Sequence, residues 1–95
     1  MHARVARVTV DPNRLDGFVR AWEAGVLAVA KQQAGYVRAL GMYKAETNEA
    51  MSVMLFDSKE HLDEAATALQ SAAAATRDFV SGPASFGSYE VRVDA

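Results

Sequence analysis

Ninety-five residues with a formal charge of −2 and no cysteine allow one domain and exclude disulfides and thiolate metal sites. Hydrophobic residues make up 51% of the chain, but 19 of the residues are alanine. Alanine buries little area, so the core is small and a second copy of the chain is the expected source of further burial.

The N-terminus, MHARVARVTV, carries arginines where a signal peptide needs a continuous apolar segment. No later run approaches the ~20 apolar residues of a membrane span. A cytoplasmic protein with no membrane partner is expected. The seven arginines are scattered, so no nucleic acid is expected as a partner either. ARVARVTV (3–10) is rich in valine and predicts a first strand, with its alternation slipping between Val5 and Ala6, as at a bulge. Asp11-Pro12 then signals a helix start, a capping carboxylate followed by proline at the first helical position. Leu15, Phe18, Val19, Trp22, Val26, Val29 and Ala30 recur at spacings of three and four and share one helical face. Gly35 is the natural left-handed stop.

YVRALGMYK (36–44) and AMSVMLF (50–56) read as a hairpin around the polar loop AETNE. Asp57, with Glu60 three residues on, predicts a capping box at the start of a second helix. Leu62, Ala65, Ala66, Leu69, Ala72 and Ala73 mark its stripe. Ser81-Gly82-Pro83 predicts a break, and SYEVRV (88–93) a last strand. The order βαββαβ implies an α+β, ferredoxin-like sandwich of a four-stranded antiparallel sheet with two helices on one face. Its other face would carry Val5 or Val8, Leu40 and Val53, a patch that predicts a homodimer through the sheet faces.

Within LFDSKEHLDEA (55–65), His61 stands among Asp57, Glu60, Asp63 and Glu64. It is either a catalytic base or the residue that packs back onto Phe56 at the helix start. The helix N-terminus is expected to lower its pKa. Trp22 is either core or the wall of an aromatic pocket. Tyr36 and Tyr43 are seven residues apart, which puts them on opposite faces of a regular strand. Met42, Met51 and Met54 would give a pocket adaptable walls. Arg4 or Arg7 is expected to pair with Glu90 across neighbouring strands. No nucleophilic triad, phosphate-binding loop or metal-spaced cluster stands out.

The pieces RVTVDPNRLDGFVRAW, QQAGYVRALGMYK, VMLFDSKEHLDEA and GSYEVRV together resemble the antibiotic biosynthesis monooxygenase-like family. The resemblance implies a dimeric α/β barrel. In that family some members are cofactor-free oxygenases of aromatic or quinol substrates, and others degrade haem. The haem-degrading pattern of an Asn on the first strand, a Trp closing the third and a His well inside the second helix is absent. Here the first strand has no Asn, Phe56 closes the third, and TALQSAAAATR follows His61, which lies too early.

The expected function is therefore a cofactor-independent monooxygenase of an electron-rich aromatic or quinol substrate, needing no metal. The alternative is a non-catalytic dimeric module that binds a hydrophobic small molecule or regulates a partner enzyme. His61 and Tyr43 are the catalytic candidates, with Trp22, Phe56, Arg38 and Met54 as substrate-binding candidates. The cavity is expected between helices and sheet, with Trp22 and Phe56 approaching it and His61 at its rim.

Overall fold

Valine, tyrosine and methionine runs form four strands in the computed structural model, which describes residues 1–95. They are β1 (His2–Val10), β2 (Tyr36–Lys44), β3 (Glu49–Phe56) and β4 (Val80–Glu90). All neighbours are antiparallel, in the order β2-β3-β1-β4. β1 is thus interior, and β2 and β4 are edges. This is the ferredoxin-like arrangement, with both helices packed on the sheet face that carries Met54 and Phe56.

The first helix starts as the sequence predicts. Asp11 accepts from the Asn13 amide at 2.8 Å, and Pro12–Arg14 form a 3-10 turn before Leu15–Ala21. One wide π-helical turn, Trp22–Leu27, then interrupts the α-helix before Ala28–Lys31 completes it. Gly35 ends the segment with φ +82.

The second helix, Lys59–Ala72, is capped differently from the expectation. Ser58 is its N-cap, its hydroxyl accepting from the His61 amide at 3.2 Å. Asp57 is one residue too early, and its carboxylate goes to the His61 ring instead. A 3-10 tail, Ala73–Phe79, leads into β4.

β4 also departs from expectation, starting at Val80 rather than 88 and ending at Glu90. Ser81-Gly82-Pro83 does not break it. An edge strand tolerates a proline that cannot donate to a ladder, and Gly82 takes φ +72. The cost is a bulge, since Arg7 faces Ser85 while Thr9 faces Ser81. β1 pairs with β3 without interruption from His2 to Thr9, so no bulge lies at Val5–Ala6. A second register shift falls between Tyr36 and Arg38 on β2. It resets the alternation, and Tyr36 and Tyr43 come to the same, helix-covered face. Tyr36 meets Phe56 edge-on, centroids 6.2 Å apart.

Only 11 of 95 residues are buried, four of them alanine, which makes the packing as sparse as the composition implied. Val26, Ala30, Met54, Phe56, Leu62, Ala65 and Leu69 form the one core cluster. On the helix-free face Val5, Val53 and Leu40 lie in a row across three strands. Leu40 is 49% and Tyr89 54% exposed. Val8 belongs to the other face.

Ser58→Ala removes the hydroxyl that satisfies a first-turn amide and should cost about 1 kcal/mol in urea unfolding. Asp57→Ala should leave the cap intact. Equal losses at a pH where His61 is neutral, so that its contact with Asp57 contributes least, would mean that the carboxylate shares the capping.

Candidate functional site

Where the core cluster ends, the space between helices and sheet is not filled. A cavity of about 640 Å3 opens there, its walls mostly hydrophobic. Val26, Met54 and Leu69 belong both to the cluster and to the lining and form the boundary. Beyond Leu69 the lining passes to Ala73 and Thr76 on the 3-10 tail, short side chains that fill little of the layer. The cavity is the volume they leave.

Trp22, Tyr43 and Met54 line this space. Met42 and Met51 pair with each other, and Met51 with the outward Arg7, on the helix-free face, so of the three methionines only Met54 turns its side chain to the helices. Trp22 opens the π-helical turn. The wider turn also swings Leu27, outside the 3.6-residue stripe, into the lining; such turns recur at functional sites. The Tyr43 hydroxyl donates to the Val10 carbonyl at 2.9 Å and stands 3.3 Å from Asn48 Oδ1. It has one proton to give, and that proton holds the hairpin against the end of β1.

One lining residue was not singled out as a site residue from the sequence. Arg4 sits opposite Met54 on one side and Ser88 on the other, so it faces the helices from an interior strand. Its guanidinium lies 4.9 Å from the centre of the Phe86 ring, and burial pulls its pKa down. The expected partnership with Glu90 does not form. Glu90 pairs with His2 in register and binds Arg92 at 3.3 Å, while Arg7 is exposed. Two arginines three apart on a strand face opposite ways, and only the face of β1 could distinguish them.

His61, Phe56 and Arg38 do not line the cavity. Phe56 is wholly buried in the core cluster, and Arg38 is exposed on the edge strand β2. The His61 Nδ1 lies 2.5 Å from Asp57 Oδ1. The Asp57 amide in turn donates to the Gly35 carbonyl at 2.8 Å. The bond between ring and carboxylate raises the His61 pKa, with burial opposing it, so the lowered value expected from the helix terminus is corrected. A carboxylate in contact outweighs a partial backbone charge. The same bond holds Asp57 below the usual carboxylate value. A Cβ on Gly35 would fall 2.5 Å from both Asp57 Oδ1 and His61 Nδ1. The trio fastens the first helix's exit to the second helix's entrance. No group of three or more His, Cys, Asp or Glu side chains is placed to hold a metal ion, and no helix is long and apolar enough to cross a membrane.

No protein-family model and no curated protein matches the sequence. The fold does match solved structures. A point mutant of SnoaB, a cofactor-independent oxygenase from Streptomyces nogalater, superposes with TM-score 0.78 at 17% identity, covering 98% of this chain and 94% of that one. Rv0793 from Mycobacterium tuberculosis gives 0.76 at 16%, covering 99% and 97%. A Nitrosomonas europaea protein provisionally described as an antibiotic biosynthesis monooxygenase gives 0.76 at 10%, covering 98% and 100%. The chain shares the fold of the antibiotic biosynthesis monooxygenase structures over nearly its whole length, as the sequence resemblance implied.

The His61–Asp57 pair sets a pH window. A raised histidine pKa adds stability below the ordinary 6.5 and loses it as pH climbs through the folded value. A lowered aspartate pKa adds stability above the ordinary 3.8 and loses it as pH falls through the folded value. The pair therefore contributes most between those two ordinary values. In an NMR titration His61 should titrate above 6.5, and Asp57→Asn should return it toward that value. A His61 that titrates identically in both proteins would refute the pairing.

Proposed function

We propose that the chain binds a planar, electron-rich aromatic molecule between its helices and sheet and oxygenates it with O2, with no cofactor. The observation that carries this reading is the large apolar cavity on the helix-covered face, in a fold shared with a cofactor-independent oxygenase. Its volume falls within the roughly 300–1,000 Å3 of ordinary ligand pockets.

The chemistry asks little of the protein. An anthrone-type substrate loses a proton and becomes an electron-rich anion. That anion gives one electron to O2, and the resulting radical pair combines into a C–O bond. The peroxide takes up a proton and expels water, so a methylene plus O2 becomes a carbonyl plus water. The substrate supplies the electrons and the cavity excludes solvent from the reactive anion. Trp22 and Met54 serve as walls, the indole against the ring and the thioether adapting to its outline. Phe56 supports the pocket from the core. His61 faces Asp57 and takes no part.

Assembly belongs to the same reading. The row Val5, Val53 and Leu40 suits a second copy packed sheet to sheet, with roughly 1,200–2,000 Å2 buried in a stable pair. The cavities lie on the opposite faces and stay open to ligand.

A second reading, a module that binds a hydrophobic molecule without transforming it, draws support from one feature. The Tyr43 proton is committed to Val10 and the His61 ring is turned outward, so neither expected base is free in the cavity.

Oxygen uptake with anthrones and hydroquinones, no cofactor added, tests the choice. Turnover with a carbonyl product supports the oxygenase; Trp22 fluorescence quenching with no uptake across the panel supports the module. Trp22→Ala should weaken binding by about tenfold to a hundredfold, the worth of roughly 1.5–3 kcal/mol of apolar burial. His61→Ala should leave binding and turnover unchanged. Light scattering should give a dimer at micromolar concentration; a monomer there would overturn the assembly.

A further inference from the structure

Arg4 is the one charged group on the sheet floor of the cavity, and it has no counter-charge. The three ion pairs of the chain join Lys59 to Asp63, His61 to Asp57 and Arg92 to Glu90. None involves Arg4, and no side-chain hydrogen bond reaches it. A half-buried guanidinium has given up part of its hydration, and it keeps five N–H donors in a rigid fork. An unpaired charge in such a place raises the free energy of the fold unless something else meets it.

The surroundings define what would meet it. The guanidinium lies over the Phe86 ring, 4.9 Å from its centre, a cation–π contact that leaves its N–H donors without a hydrogen-bond partner. Arg4 and Phe86 also line a second, smaller pocket of about 280 Å3 on the side of the second helix. The Arg4–Phe86 pair is thus shared by the two hollows. The other charged residues around these hollows are Glu23 and Arg77 in the larger and Asp63 in the smaller. Glu23 and Arg77 are exposed, and Asp63 is held by Lys59 at 2.7 Å. The dimer face is on the other side of the sheet, so a second copy packed there does not neutralise Arg4.

We infer that Arg4 is the anion-recognising residue of the cavity, pairing with an acidic oxygen (phenolate, enolate or carboxylate) on a planar aromatic ligand whose ring lies beside Phe86. This rests on the reading that the cavity takes an aromatic molecule, and it adds the ligand's charge. It also gives Arg4 work in the reaction. A cation beside a bound phenol or enol lowers its pKa, and the anion so favoured is the species that hands an electron to O2. The proton leaves to solvent through the open mouth of the cavity. Arg4 therefore selects the ligand and prepares it, with no base required from Tyr43 or His61.

The test uses non-reacting probes, so it does not depend on turnover. Anthraquinone-2-carboxylate and the neutral 2-hydroxymethylanthraquinone are titrated against the full chain by Trp22 fluorescence. The wild type should bind the carboxylate more tightly. Arg4→Met, which keeps the length and apolar stem, should lose about tenfold to a hundredfold for the carboxylate and little for the neutral probe. Arg4→Lys keeps the charge without the fork and should recover part of the loss. Bound 2-hydroxyanthraquinone, whose colour reports ionisation, should titrate about one unit or more below the free molecule in the wild type. That measurement stands even if Arg4→Met fails to fold.

Equal affinity for the two probes, or an unshifted phenol, overturns the inference and leaves the oxygenase standing. Anion preference with no oxygen uptake on any anthrone removes the oxygenase and leaves Arg4 as a binding residue. Binding of none of the probes overturns both.

Discussion

The packing of Phe56 against both helices is the contact on which the rest of this fold depends. It is fully buried, braced edge-on by Tyr36 and enclosed by Ala30, Leu62, Ala65 and Leu69 in one cluster. With so few buried side chains, this cluster supplies most of what clamps the helices to the sheet. At the far end a polar contact does the closing, the Tyr43 hydroxyl on the Val10 carbonyl. Between these two fastenings the short side chains of the 3-10 tail, Ala73 and Thr76, leave a gap. The cavity is a consequence of composition: a chain that spends its hydrophobic residues on alanine cannot fill the layer it encloses.

Charge is used in two opposed ways. At the junction of the first helix's exit and the second helix's entrance, His61 and Asp57 satisfy one another in a space that only glycine at position 35 leaves open. That pair is satisfied within itself and stands away from the cavity lining. Arg4, in contrast, is withdrawn from water without a partner. A satisfied ion pair stabilises a fold; an unsatisfied charge makes a demand that a ligand can answer. The histidine drew attention in the sequence because it stood among carboxylates, and that is the reason it is occupied.

Much of the fold was legible because its signals are local. The Asp11-Pro12 start, the left-handed Gly35, the helical stripes and the strand runs each depend on neighbours within a few residues. The βαββαβ order followed, and with it the helix-covered and helix-free faces. Errors came at positions where two local signals competed. Asp57 and Ser58 could each cap the second helix, and Asp57 went to the imidazole that Gly35 admits beside it. Ser81-Gly82-Pro83 reads as a break, yet an edge strand absorbs it in a bulge.

By itself, then, the sequence determined the elements, their order and the thinness of the core, because helix and strand periods and caps are properties of short segments. Only the tertiary structure decided which side chains meet. The shift between Tyr36 and Arg38 brings both tyrosines to the helix side, and the pairing of β1 turns Arg4 inward and Arg7 outward. Both outcomes hang on strand register, where a shift of one residue sends every following side chain to the other face. Register is fixed by partners distant in the chain, so no local pattern could have assigned the cavity the one charge on its sheet floor.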